Sequence, residues 1–176
     1  SIHAKEILDS RGIPTIETSL TVDGTKTVTS SVPSGTSTSK YEVVELRDGD
    51  PARYEGQGVL KAVANVNDLI APKLIGKDPT HQTDVDQLMV DLDGTQNKSN
   101  LGANAILSVS QAACKAAAFS YNLPLYAYLH AKYQLTKDAP LMPTPTFNVI
   151  NGGKHGAGNL DFQEFHIIPS TRMNYS

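Results

Sequence analysis

An α+β domain followed by the incomplete start of a second unit is the fold class that this sequence predicts. Three observations carry it. Residues 14–32 alternate like two strands about a turn, residues 54–129 follow helical periodicities, and strand-like residues resume only after a three-proline stretch at 136–145.

In the first segment Thr15, Glu17 and Ser19 alternate with Ile16, Thr18 and Leu20, the period of a half-buried strand, and Asp23-Gly24 supplies a hairpin turn. Residues 33–42 (PSGTSTSKYE) then form a polar loop rich in hydroxyls. That loop reads equally as a solvated connection and as a ligand set. The hydroxyls of Ser34, Thr36, Ser37, Thr38 and Ser39 suit a hard cation such as Mg2+, but neutral ligands alone hold it weakly.

Val59, Val63, Val66 and Ile70 have helical spacing, and Pro72 is expected to close that segment. Asp78-Pro79 reads as a cap with proline at the first helical position. It precedes an apolar face of Val85, Leu88, Met89 and Leu92 that Asp93-Gly94 ends. Residues 103–121 are dominated by alanine, which predicts a central helix packed closely from several sides. Asn122 is its expected left-handed cap, and Pro124 opens a short helix through Leu129. The stretch TKDAPLMPTP at 136–145 resembles a linker, and residues 146–150 and 161–168 are strand-like on either side of a glycine-rich loop.

A chain of 176 residues has room for one ordinary domain, or for a small domain plus a piece of another. Its net charge of -3 and pI near 5.9 give no basic footprint, which argues against nucleic acid or an anionic membrane as the main partner. No apolar run approaches the roughly 18 residues of a membrane span. The single Cys114 excludes an internal disulfide framework and a cysteine-built metal site, and its run of small apolar neighbours reads as a structural thiol rather than a reactive one. A reducing, cytoplasmic setting fits.

The most informative stretch is FNVINGGKHGAGNLDFQEF at 147–165. It fits neither GxxxxGK[ST] nor a GxGxxG that opens a helix, so a nucleotide cradle is not supported. No G-x-S-x-G elbow occurs either. His155 among four glycines could be a surface residue or a ligand of an anion, because glycines let backbone N–H groups approach closely. Glu164, between Phe162, Phe165 and Ile167, needs a cation, a hydrogen-bonded network or a water-filled pocket if buried. Strand alternation sends Gln163 and Glu164 to opposite faces, so both line one site only at a strand end or bulge. From the residues alone the reading stops at an anion- or metal-linked site, incomplete.

A series of motifs in order along nearly the whole chain then resembles enolase. They include Asp9-Ser10-Arg11-Gly12, Val32-Pro33-Ser34-Gly35 with Ser37-Thr38, Glu45-Leu46-Arg47-Asp48-Gly49, Leu92-Asp93-Gly94-Thr95 and Gly102-Ala103-Asn104-Ala105. Leu123-Pro124-Leu125-Tyr126, Phe147-Asn148-Val149-Ile150-Asn151-Gly152-Gly153 and Gln163-Glu164-Phe165 complete them. The resemblance implies an α+β capping domain over residues 1–135, a linker at 136–145, and at 146–176 the truncated start of a TIM-like α/β barrel that typically needs about 250 residues.

It also implies a Mg2+-dependent lyase of glycolysis that interconverts 2-phosphoglycerate and phosphoenolpyruvate, with metal ions stabilising an ene-diolate. On that reading Ser37 binds the second Mg2+ from a closing loop, and His155 lies near the substrate phosphate. Glu164 is the acidic residue near the departing hydroxyl, with Gln163 beside it. The family's lysine base and its three acidic metal ligands match nothing here, so the 176 residues alone are expected to be inactive. A homodimer with the N-terminal hairpin near its interface is a further implication. The alternative is a non-catalytic enolase-like domain that binds a partner or has a structural role.

The sequence departs from the family pattern at several places. Ile13 stands where the family usually has Asn, and Thr36 and Ser39 replace small residues of the loop. Ser108 replaces a helix glycine, and Lys154 adds a charge beside His155. Residues 146–176 are also expected to expose strand edges and apolar surface, an association hazard.

Overall fold

A computed structural model describes residues 1–35, 39–135, 142–153 and 156–170. The chain divides into two compact units, Ser1–Leu135 and Thr136–Ser176.

The first unit is built on an antiparallel meander of β1 (Ile2–Leu8), β2 (Pro14–Val22) and β3 (Lys26–Ser31) in that spatial order. Ile16 pairs with Glu6 and Leu20 with Val28, so the alternation of β2 sends Ile16, Thr18 and Leu20 into the core. The turn falls at Asp23-Gly24, where the N–H of Thr25 returns to the carbonyl of Val22 at 3.2 Å.

β1 is a strand the sequence reading omitted. Its alternation is weak, and pairing with β2 supplies what its own pattern lacks. Its outer edge is closed by Asn67, whose Oδ1 accepts from the N–H of Ala4 at 2.8 Å while its Nδ2 donates to the Ala4 carbonyl at 3.1 Å. One side-chain amide thereby satisfies both backbone groups of an edge residue.

Asn67 reaches that edge from an unusual helix. α1 (Leu60–Ala64) passes into a π-helical stretch, Asn65–Ile70, and then into α2 (Ala71–Leu74). Here the structure corrects an expectation, because Pro72 does not close the helix. The π stretch shifts the ladder so that the N–H of Ala71 bonds to Val66, and Pro72 falls in the first turn of a restarted α-segment, where its missing N–H is tolerated.

Asp78-Pro79 is likewise a turn rather than a helix start. Asp78 Oδ1 takes the N–H of Thr80 at 2.8 Å, and α3 begins later, spanning Gln82–Asp93. α4 (Ala103–Ser120) is the central helix, packed on β2 and β3 with Ala105, Val109, Ala112 and Ala116 fully buried. Asn122 has the expected left-handed φ of 55°, and α5 (Leu125–Tyr133) follows Pro124. Together Ile16, Val66, Ile70, Met89 and Val109 anchor one core between sheet and helices.

In the second unit β4 (Phe147–Asn151) and β5 (Glu164–Ile167) pair antiparallel. Among its described residues only Gly152 is buried. Residues 142–146 carry no regular structure, and 136–141 lie outside the described residues. No helix among the described residues is long and apolar enough to cross a membrane.

Candidate functional site

The hydroxyl loop is fixed at its entry by a compact polar cluster. Arg11 Nη2 donates to Ser34 Oγ at 2.6 Å and to the Ser34 carbonyl at 2.9 Å. Asp9 Oδ2 accepts from Arg11 and, at 2.9 Å, from Ser34 Oγ, while Asp9 Oδ1 accepts the N–H groups of Arg11 and Ile13 at 2.8 and 2.9 Å. These donors, the N–H of Ile13 foremost, hold the Asp9 carboxyl well below the usual carboxylate range. Because Ile13 contributes through its backbone, the cluster does not depend on the side chain in which this sequence departs from the family pattern.

Next along the loop, the N–H of Gly35 meets Glu45 Oε2 at 3.1 Å, and Glu45 is paired with Arg47 at 2.5 Å. At the far end the N–H of Ser39 donates to Glu42 Oε2 at 2.8 Å. Ser37, together with Thr36 and Thr38, lies outside the described residues.

In the second unit the glycine loop leaves the end of β4 and returns to β5. The N–H of Gly152 donates to the Gln163 carbonyl at 2.8 Å, and that of Gly153 to the Leu160 carbonyl at 2.9 Å. A Cβ on Gly152 would fall 2.1 Å from the Phe162 carbonyl oxygen, so only glycine allows the two chain segments to approach this closely. The same contacts set Gln163 immediately before β5 and Glu164 as its first residue. The strand-end condition for a site that uses both side chains is thereby met. His155 lies outside the described residues.

Glu164 is not buried. Its side chain is 44% exposed and is paired with His166 at 3.1 Å. His166 escaped the sequence reading. The signal was its position two residues after Glu164 on a strand, which places both on one face.

Comparison with known proteins joins the two units. The family described as enolase, N-terminal domain, matches residues 1–129, and that described as enolase, C-terminal TIM barrel domain, matches residues 139–176. The chain belongs to the enolase family. It is 54% identical over 169 residues to "Enolase 1" of Methylococcus capsulatus and 55% identical over 175 residues to "Enolase" of Mastigamoeba balamuthi. These alignments take in 96% and 99% of this chain and 39% of each relative, so the chain spans about two fifths of the length of these enolases. The fold is accordingly the enolase N-terminal domain, an antiparallel sheet with helices, plus a short start of the C-terminal TIM barrel domain.

Measured against the Mg2+ of the enolase resemblance, the described residues do not form a metal centre by themselves. No group of three or more His, Cys, Asp or Glu is placed to hold a cation among them. The carboxylates that approach burial are committed elsewhere. Glu6 binds Arg53 and the N–H of Val59, and Asp48 caps the N–H groups of Leu60 and Lys61 at 2.9 and 2.8 Å. Asp93, 1% exposed, collects the N–H groups of Thr95, Asn100 and Leu101. Burial pushes the Asp93 pKa up, but the donors led by Leu101 outweigh it and leave the group below its ordinary value.

Cys114 is half-buried, and burial raises its thiol above the ordinary range, as suits a structural thiol. Ser108, which stands in place of a helix glycine, is fully buried. It is satisfied by the carbonyl of Ala105 at 2.9 Å and by Thr18 Oγ1 at 2.7 Å.

Proposed function

We propose that these residues form the N-terminal part of a Mg2+-dependent enolase that reversibly dehydrates 2-phosphoglycerate to phosphoenolpyruvate. Residues 1–135 are the capping domain, 136–145 the linker and 146–176 the opening of the catalytic barrel. The observation that carries this reading is the seating of Gln163 and Glu164 at the start of a strand. They are held there by backbone bonds from Gly152 and Gly153, within residues that match the family's barrel domain.

On this reading Glu164 handles the proton at the departing hydroxyl, Gln163 binds substrate beside it, and His155 faces the phosphate. Ser37 would bind the second Mg2+, and the metal when bound would supply charge stabilisation of the ene-diolate. The lysine base and the acidic metal ligands would come from residues beyond this sequence, so the 176 residues alone are inactive. The working protein is a cytoplasmic homodimer in glycolysis, with the β2–β3 hairpin near the interface.

The test is turnover of 2-phosphoglycerate by the full reading frame. Glu164→Gln should lower turnover by about a hundredfold or more while Mg2+ binding is largely retained. Unchanged turnover would refute the role of Glu164, and a reading frame that stops at Ser176 would favour a non-catalytic enolase-like domain. Equilibrium sedimentation of the full-length protein should give a dimer; a monomer refutes that part.

A further inference from the structure

The β4–β5 hairpin has one polar face. Register places Asn148 opposite His166 and Asn151 opposite Glu164, while Phe147 and Ile150 lie opposite Ile167 and Phe165. Positions 148 and 151 would fall on opposite faces of a regular strand. The register shift between Asn148 and Ile150 absorbs Val149 and brings both asparagines to the same side, where Asn148 Nδ2 donates to Asn151 Oδ1. Glu164 and His166, two apart on β5, share that side by simple alternation. There His166 Nε2 meets Glu164 Oε2 at 3.1 Å.

We infer that His166 is a positioning residue for Glu164. This rests on the enolase reading above, in which Glu164 is the carboxylate that handles a proton. Such a carboxylate needs a fixed orientation, because proton transfer works only within hydrogen-bond reach of the reacting atom. An exposed glutamate with three rotatable bonds lacks one. His166 Nε2 lies 3.1 Å from Oε2, and Oε1 has no partner among the described residues, so one oxygen sits beside the imidazole and the other is available for chemistry. Among the described residues, the groups facing the pair from β4 are the neutral amides of Asn148 and Asn151, and Gln163 precedes it on the chain. The pairing is local to the hairpin and needs nothing from the first unit.

The experiment compares His166→Leu and His166→Gln in the full-length enzyme, with 2-phosphoglycerate as substrate. Loss of the donor in His166→Leu should lower kcat about tenfold with KM changed less than about twofold, and the amide donor of His166→Gln should restore most of it. Wild-type kcat in His166→Leu, or an equal loss in both variants, overturns the inference. If the wild-type enzyme does not turn over, the enolase reading fails instead. The pairing is then judged by the imidazole 15N shifts of His166 in this chain: a change on Glu164→Gln supports it, and identical shifts overturn it.

Discussion

Thr18 Oγ1 and Ser108 Oγ lie 2.7 Å apart with both residues wholly removed from solvent, one on β2 and the other on α4. This is a buried polar contact within the sheet–helix interface, and it accounts for a hydroxyl where the enolase resemblance leads one to expect glycine. A buried hydroxyl is stable only while it is paired.

Removing Ser108 strands Thr18, whereas Ser108 without Thr18 keeps the carbonyl of Ala105. Ser108→Ala should cost about 1–3 kcal/mol, because Thr18 loses its partner without regaining water. Thr18→Val together with Ser108→Ala makes the contact apolar and should recover much of that loss. Urea unfolding of the two single variants and the double variant closes the cycle. Additive losses would show that the two hydroxyls do not depend on one another.

Asp93 gives the fold an acid-sensitive point. Its folded-state pKa is lowered, so the unfolded chain binds a proton more readily than the folded one. The stabilisation is therefore fully present above the ordinary aspartate value of about 3.9 and is lost as pH falls through the lower folded value. Asp93→Asn should destabilise the first unit at pH 7 by about 1–3 kcal/mol and flatten the dependence of stability on pH below about 4. Denaturant midpoints measured from pH 7 down to pH 2 check both parts. A variant with the wild-type acid slope would assign that slope to another carboxylate.

Legibility in the sequence followed the range over which each interaction acts. The Asp23-Gly24 turn, the apolar face of α3 and the alanine helix were readable because turn chemistry and periodicity are local. β1 was not, because its partner and Asn67 determine it: the side-chain contact to Ala4 spans 63 positions. Pro72 misled for a related reason, since the preceding π stretch alters which carbonyl loses its donor. In the candidate site, Glu164 and Gln163 stood out by residue type. His166 did not, because its significance lies in facing Glu164 across two residues of strand.

The entry to the hydroxyl loop depends on Arg11, which ties Asp9 to both oxygens of Ser34. Arg11→Ala should leave the sheet intact and release the loop locally, accelerating amide exchange at Ser34 and Gly35 by about tenfold. Exchange in β2, including Ile16 and Thr18, should stay near wild type. Hydrogen exchange resolved by residue is the measurement. Equal acceleration at Ile16 would mean that Arg11 supports the whole sheet rather than the loop.

Two glycines of the site loop are constrained for different reasons, which lets close approach be separated from backbone conformation. Gly158 has a φ of +79° with nothing within 4 Å of an added Cβ, so Gly158→Ala meets only a strained dihedral and should cost about 1 kcal/mol. At Gly152 the added carbon would meet the Phe162 carbonyl oxygen at 2.1 Å and Leu160 Cβ at 2.8 Å, and backbone cannot step aside as a side-chain tip can. Gly152→Ala must therefore open the bonds from Gly152 to Gln163 and from Gly153 to Leu160, the two that seat the start of β5. On the proposed enolase activity, kcat/KM of the full reading frame should fall by about a hundredfold in Gly152→Ala, against a loss below about threefold in Gly158→Ala. The amide shifts of Gln163 and Glu164 should move in the first variant alone. Comparable kinetics in the two variants would mean that the position of Glu164 does not depend on the Gly152 approach.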